Sequence, residues 1–249
     1  MAMQDRKDMI IELLRSRSRF VTVGQLSEKL FVSGATIRRD LAELEKSKLI
    51  QRTRGGAILL ESISSEAPMI LRETRNEAQK QAIAAIARDY IKDGMTIFMD
   101  SSSTVFTLAR SLSQILNLTV ITNNLKICWL LSEHKGVTLL CTGGRLKDRS
   151  MSFFGPSAVQ FIGRLNADAA FISAMGFTLE NGSSDATEEE YYIKRAYISN
   201  SKNRYLLVDT SKLGKGFMYR TSPLSDFTRV ITEDRETNER LLRLADAGR

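Results

Sequence analysis

Residues 21–57 read VTVGQLSEKLFVSGATIRRDLAELEKSKLIQRTRGGA, and this order of elements decides the first fold assignment. Val21, Val23, Leu26 and Leu30 suit a short helix and the entry to it. Val32-Ser33-Gly34 breaks that helix, and Ser33 is a good N-cap because its hydroxyl can accept a free backbone N–H. From Ala35 the apolar period resumes. Ile37, Leu41 and Leu44 fall at i, i+4 and i+7, so that face packs inward. Thr36, Arg38, Arg39, Asp40 and Glu43 then point largely the other way, where Thr36 and the two arginines can supply base-edge and phosphate contacts in a major groove. Residues 48–54 read as a strand carrying Arg52 and Arg54. Gly55-Gly56 can take the positive φ of a tight hairpin turn, and residues 57–60 return. The alternative is a small helical packing domain with solvated charges. Helix, turn, second helix and basic Gly-Gly hairpin, in that order, favour a winged helix-turn-helix over residues 1–60.

The charge distribution points the same way. Residues 1–60 hold 12 Lys and Arg against 7 Asp and Glu, so +5 of the chain's +7 lies in less than a quarter of its 249 residues. A concentrated basic excess is the footprint of a phosphate-backbone binder, with double-stranded DNA the expected partner. A uniform spread would speak only to solubility.

With 43% hydrophobic residues the chain has material for two cores. No run approaches a membrane span, and MAMQDRKDMI lacks the apolar run of a signal peptide. These features predict a cytoplasmic protein with no membrane partner. Cys128 and Cys141 lie in apolar surroundings and are expected as reduced core residues. With His134 the single histidine, no metal site or cofactor is expected.

Residues 61–76, ESISSEAPMILRETRN, are polar, hold a Pro and lack a clean period, so they are assigned as a linker. From residue 77 to 249 helical stretches alternate with short apolar strands near residues 95–99, 118–121, 137–141, 169–173, 205–208 and 229–231. Continuous apolar strands between helices predict an α/β domain with a mostly parallel sheet covered on both faces. Polar residues gather at the C-terminal ends of the strands, where open α/β sheets bind small ligands. Asp100-Ser101-Ser102-Ser103-Thr104 precedes a helix, and its hydroxyls and that helix's free N–H groups suit an oxyanion. Thr122-Asn123 offers neutral donors and acceptors. Gly143-Gly144 lets backbone approach a ligand, and Lys212 is a mobile point charge for phosphate. Asp100 would repel phosphate and is assigned to sugar hydroxyls or to orienting its own loop. Ser, Asn and Gly also serve as ordinary turn residues. Their recurrence at four corresponding strand ends favours one shared site.

Over essentially its full length the chain resembles the DeoR family of transcriptional repressors. The resemblance rests on VSGATIRRDLAEL and RTRGGA within residues 32–57, on Arg72, Asn76 and Lys80, and on IFMDSSST, VITNN, TGGR, SFFG, EYYIKRA and DTSKLG. It implies a C-terminal domain similar to ribose-phosphate isomerase-like folds that senses a phosphorylated sugar or sugar derivative. It implies that Asp100, Ser103, Thr104, Thr122, Asn123, Gly143, Glu190, Lys194 and Lys212 line the effector pocket. The first loop departs from the family's usual Asp-x-Gly-Thr-Thr, with Ser102 adding a Cβ where the family has Gly. By spacing alone Glu190 and Lys194 could equally be an ordinary surface ion pair at i and i+4, and Glu188 and Glu189 are expected to be solvated.

The leading reading is therefore a ligand-responsive DNA-binding repressor of a carbohydrate operon, without catalytic residues. It is expected as a homo-dimer or tetramer because such proteins bind paired half-sites. The competing reading is a sugar-phosphate isomerase or deaminase with an appended DNA-binding domain. Its general base would be sought among Asp100, Asp185, Glu190 and Lys212. An architectural DNA-coating protein leaves the pocketed α/β domain without a purpose.

Overall fold

A computed structural model describes residues 3–16, 20–47, 49–59 and 69–247, and contacts divide the chain into units 1–68 and 69–249. The first unit runs α1 (Met3–Ser16), β1 (Phe20–Thr22), α2 (Val23–Leu30), α3 (Gly34–Lys46), β2 (Ile50–Thr53) and β3 (Gly56–Leu59). Thr22 starts α2 through a capping box, its hydroxyl accepting the Gln25 N–H while the Gln25 amide accepts the Thr22 N–H. Phe31 ends α2 in the left-handed region at φ 54°. Ser33 caps α3 as expected, accepting the Thr36 N–H at 3.2 Å. Leu26, Leu30, Ile37, Leu41 and Leu44 bury their side chains in one core with Ile10, Leu14, Ile50 and Ala57.

Two details differ from the sequence reading. Val21 lies on β1, which pairs with β3 as a third strand in the order β1-β3-β2. Three residues are too few to show a period of their own. The hairpin turn uses Arg54-Gly55, with Gly55 at φ 90°, while Gly56 already pairs in β3 and is buried.

Residues 61–68 of the stretch assigned as linker lie outside the described residues. Residues 69–74 of that stretch form helix α4 (Met69–Thr74), whose Met69 is buried in the core of the second unit. Lys80, on α5 (Glu77–Arg88), donates from its ammonium to the carbonyls of Arg72 and Arg75, satisfying the open end of α4.

The second unit then alternates. β4 (Thr96–Met99) leads to α6 (Ser103–Ala109), β5 (Leu118–Thr122) to α7 (Leu125–Leu131), and β6 (Val137–Cys141) to the hairpin β7 (Arg145–Lys147) and β8 (Ser152–Phe154). Helix α8 (Pro156–Ile162) leads to β9 (Ala167–Ile172), and the hairpin β10 (Gly176–Thr178) and β11 (Gly182–Asp185) follows. Helix α9 (Glu188–Ser199), β12 (Ser201–Leu207), β13 (Tyr219–Ser222), β14 (Arg229–Ile231) and α10 (Arg235–Ala247) complete it. Six strands in the order β14-β12-β9-β4-β5-β6 pair in parallel. Their side chains alternate between two cores. Ile97, Met99, Val120, Phe171 and Leu207 join α5, α6 and α7. Phe98, Ile121, Ala170, Ile172 and Leu206 join α8, α9 and α10. The antiparallel group β10-β11-β13 and the β7-β8 hairpin are additions that the strand pattern did not reveal.

The cysteine expectation needs correction. Cys128 is half-buried and Cys141 is exposed, both as free thiols. β6 is the edge strand of the sheet, so an apolar run there does not imply burial on both faces.

Candidate functional site

All six parallel strands end on the same side. Chain order carries β4, β5 and β6 outward in one direction and β9, β12 and β14 in the other, so the topology switches between β4 and β9. Loops diverge at such a point and leave a crevice at the carboxyl ends of the strands. Asp100 follows β4 and Ser173 follows β9. The fully buried Asp100 carboxylate accepts the Ser102 N–H at 2.9 Å through one oxygen and the Ser173 N–H at 2.8 Å through the other. Burial pushes its pKa up, against the opposing pull of Lys194 and these N–H donors. Asp100 thus orients its own loop and ties the two sides of the switch point together.

Lys212, in the loop after β12, donates to Ser173 Oγ at 3.0 Å. Burial lowers its pKa to about 8, with Asp209 opposing and Lys194 adding to the fall. Lys80 is lowered to about 8 as well, by burial first and then by Lys212, Arg72 and Arg75. Two depressed lysines near one another are a place where an anion would relieve repulsion. Asn76 links the same loop to the junction of α4 and α5. It sits at φ 53° ahead of α5 and donates to Asp209 Oδ1 at 3.1 Å and Ser211 Oγ at 3.2 Å rather than capping its helix.

Glu190 and Lys194 do not form a surface pair. Both are buried, and Lys194 Nζ lies 2.6 Å from Asp185, 3.4 Å from Glu190 and 3.9 Å from Asp100. Burial opposes the Lys194 charge, but the three carboxylates overcome it and hold its pKa above the ordinary lysine value. Thr221 donates to the second Asp185 oxygen at 2.7 Å. Glu189, expected to be solvated, pairs with Lys147 at 2.9 Å and Arg145 at 3.4 Å, which brings β7 to the start of α9.

Several predicted residues are engaged by the protein itself. Thr122 Oγ1 accepts the Asn124 N–H. The Asn123 amide donates to the Phe153 carbonyl and accepts from Tyr197. Ser102 caps α6 through Val105 N–H. Gly144 is demanded by packing, since a Cβ there would lie 2.6 Å from the Phe154 carbonyl oxygen, whereas Gly143 has open space around it at φ 65°. In contrast, Thr104 Oγ1 and Glu190 Oε1 are buried with no hydrogen-bond partner among the described residues. Such atoms are costly unless something donates to or accepts from them.

Ser173, Thr221 and Lys80 were not among the predicted site residues, and Asp185 entered only as a candidate base of the competing enzyme. Ser173 carried a usable signal, because it ends an apolar strand as Asp100 does. Asp185 and Thr221 arrive through the antiparallel additions, which have no such signature. Among the described residues no cluster of three or more His, Cys, Asp or Glu is placed to hold a metal ion.

In the first unit the acidic residues of α3 are neutralised from inside. Asp40, expected on the outward face, is instead buried because Arg6 of α1 forms a two-pronged pair with it at 2.6 and 3.0 Å, and Lys7 pairs with Glu43. Glu45 accepts the Arg52 N–H at 2.9 Å and lies 3.8 Å from its guanidinium. Arg38, Arg39 and Arg54 are exposed and carry no ion pair among the described residues. Ser33 Oγ, engaged as the cap, also lies 3.0 Å from Thr36 Oγ1. The arrangement leaves uncompensated positive charge on α3 and the hairpin, suited to a nucleic-acid backbone.

Comparison with known proteins agrees with this division. A family described as a DeoR-like helix-turn-helix domain matches residues 6–63, and one described as the DeoR C terminal sensor domain matches residues 75–234. The HTH-type transcriptional regulator YulB of Bacillus subtilis is 36% identical over 233 residues, 94% of this chain and 90% of that protein. The glycerol-3-phosphate regulon repressor of Escherichia coli is 32% identical, covering 94% of this chain and 92% of that one. Among solved structures, ribose 5-phosphate isomerase A from Methanocaldococcus jannaschii is 19% identical and covers 55% of each chain, with a TM-score of 0.40.

Proposed function

The chain belongs to the DeoR family of transcriptional regulators, and on that premise we propose that it represses a carbohydrate-metabolism operon in the cytoplasm under control of a phosphorylated sugar. The observation that carries the effector assignment is the chemistry of the switch point. It gathers a lysine whose pKa is depressed to about 8, a second such lysine nearby, and buried oxygens without partners. Lys212 anchors the phosphate, with Lys80 adding positive potential. Thr104 and Glu190 take hydroxyls of the sugar, Ser103 and Gly143 lie along the same strand ends, and Asp100, Thr122, Asn123 and Lys194 hold the loops in place. Ser33, Thr36, Arg38, Arg39, Arg52 and Arg54 face the operator. The protein acts as a homo-dimer or tetramer on paired half-sites.

For the effector to change operator occupancy it must bind one state of the protein better than the other. The hydrogen bonds from Asn76 to Asp209 and Ser211 tie the Lys212 loop to the junction of α4 and α5, so a ligand that moves this loop acts on that junction. The test is a thermal-shift screen against sugar phosphates and their unphosphorylated parents, followed by DNA binding in the presence of each hit. A ligand at 100 times its Kd should add about 2.7 kcal/mol of stability. Stabilisation by a phosphorylated sugar alone, with a change in DNA affinity, supports the proposal. Absence of any hit, or conversion of the hit into an isomerised or deaminated product, overturns it.

A further inference from the structure

The DNA-binding unit contains a groove of about 400 Å³ between α2, α3 and the β2–β3 hairpin, with Gly24 and Gly34 on its walls and Arg38 and Arg52 at its edges. Gly55 and Gly56 also line it: the turn accounts for Gly55 through its φ of 90°, and Gly56 is buried in β3 between Thr22 and Thr53. Nothing comparable accounts for the other two. Neither Gly24 nor Gly34 has a positive φ. A Cβ on Gly24 would come no nearer than 3.8 Å to Thr22 Oγ1. One on Gly34 would lie 3.5 Å from Val23 Cγ1 and 3.7 Å from an Arg38 nitrogen, in ordinary contact. Alanine at either position would restrict the unfolded chain and favour the helix, so both glycines cost stability that no close contact of a Cβ explains. What they provide is an open wall.

The charges say what the wall is open to. Gly34, Arg38 and Leu41 form one row at i, i+4 and i+7 along α3, so Arg38 stands on the groove side. It carries no ion pair among the described residues, and Arg52 across from it is held only loosely by Glu45. Backbone walls with a guanidinium at either edge match an extended sugar-phosphate strand. The strand needs close approach without side chains, and its phosphate oxygens accept the forked donors of arginine.

We propose that this groove seats one sugar-phosphate unit of the DNA backbone, that Gly24 and Gly34 are side-chain-free to admit it, and that Arg38 is a phosphate contact while Thr36 and Arg39 are left to read bases. The proposal rests on the reading of this unit as DNA-binding.

The test uses the full chain and a short duplex of random sequence, because a backbone contact needs no operator. Gly24→Ala, Gly34→Ala, Gly34→Leu and Arg38→Ala are compared with wild type for melting temperature and for duplex affinity across salt concentrations. The glycine variants should melt at or above wild type yet bind more weakly, with Gly34→Leu losing about tenfold or more. Arg38→Ala should lower the log–log salt slope by about 0.9. Should Leu lower the melting temperature, the two Ala variants decide. Wild-type affinity in the folded glycine variants, or an unchanged salt slope for Arg38→Ala, overturns the groove assignment. Failure of wild type to bind any duplex at low salt would instead overturn the DNA-binding reading beneath it.

Discussion

Replacing Lys212 by Met should stabilise the unliganded protein while making it deaf to its effector. The substitution keeps an unbranched stem and removes the ammonium. In the fold that ammonium is penalised by burial, which outweighs the help of Asp209 and draws its pKa from 10.5 to about 8. At about 1.4 kcal/mol per pKa unit, the charged form is disfavoured by roughly 3 kcal/mol relative to the unfolded chain. Partial solvent access and the lost hydrogen bond to Ser173 Oγ reduce the expected gain to about 1–2 kcal/mol. For a unit of this size that is a rise in Tm of about 3–6 °C. The folded pKa lies below the unfolded one, so the penalty is fully present below pH about 8. It fades as pH rises toward the unfolded value, and the two proteins should melt progressively closer together above pH about 8. The assay is thermal unfolding of both proteins from neutral to alkaline pH, with and without a sugar phosphate that stabilises wild type. An equal or lower melting temperature at neutral pH, or a gap that widens in alkali, refutes the charge penalty. An undiminished ligand shift refutes the phosphate anchor.

Lys194→Met leaves Asp100, Asp185 and Glu190 buried together without their cation, and should cost about 3–5 kcal/mol. Burial already raises the Asp100 pKa and Lys194 opposes that rise, so without the cation the variant should recover stability as pH falls, and a melting deficit that does not shrink between neutral and mildly acidic pH contradicts the cluster's role. Phe31→Gly should stabilise the first unit by about 1 kcal/mol, because Phe31 holds φ 54° while its side chain is 93% exposed. Hydrogen exchange at the α2 and α3 amides would show this as stronger protection, and unchanged or weaker protection counts against it. Limited proteolysis should cut within residues 61–68. The fragment beginning at Met69 should outlast one beginning at Glu77 by about 3 kcal/mol, since the shorter piece loses buried Met69 and the carbonyl partners of Lys80. Equal stability of the two fragments would place α4 outside the second unit's core.

The winged unit was legible because each of its signals is local. Ser33 caps the helix that follows it, Ile37, Leu41 and Leu44 recur at the helical period, and Gly55 marks the turn by its conformational freedom. The parallel sheet was legible for a related reason, since strands buried on both faces must be continuously apolar. Local signals carry no information about neighbours across the chain. The sequence therefore gave no sign that Val21 would add a third strand to the hairpin, or that Cys141 would end on an exposed sheet edge.

The site divides along the same line. By itself the sequence placed Asp100, Thr122, Gly143 and Lys212 at strand ends, because a polar residue after an apolar run needs no partner to be recognised. Only the tertiary structure decided what each one does there. Parallel pairing of β4 with β9 put Ser173 against Asp100 across the switch point, separated by 73 residues in the chain. The β11–β13 pairing carried Asp185 and Thr221 to Lys194, turning a spacing that also fits a surface pair into a buried cluster. Packing against Phe154 claimed Gly144, and hydrogen bonds to Phe153 and Tyr197 claimed Asn123. Position along a strand is a one-dimensional property that periodicity encodes. Burial, pairing and charge compensation are set by residues far apart in sequence, and only the folded chain brings them together.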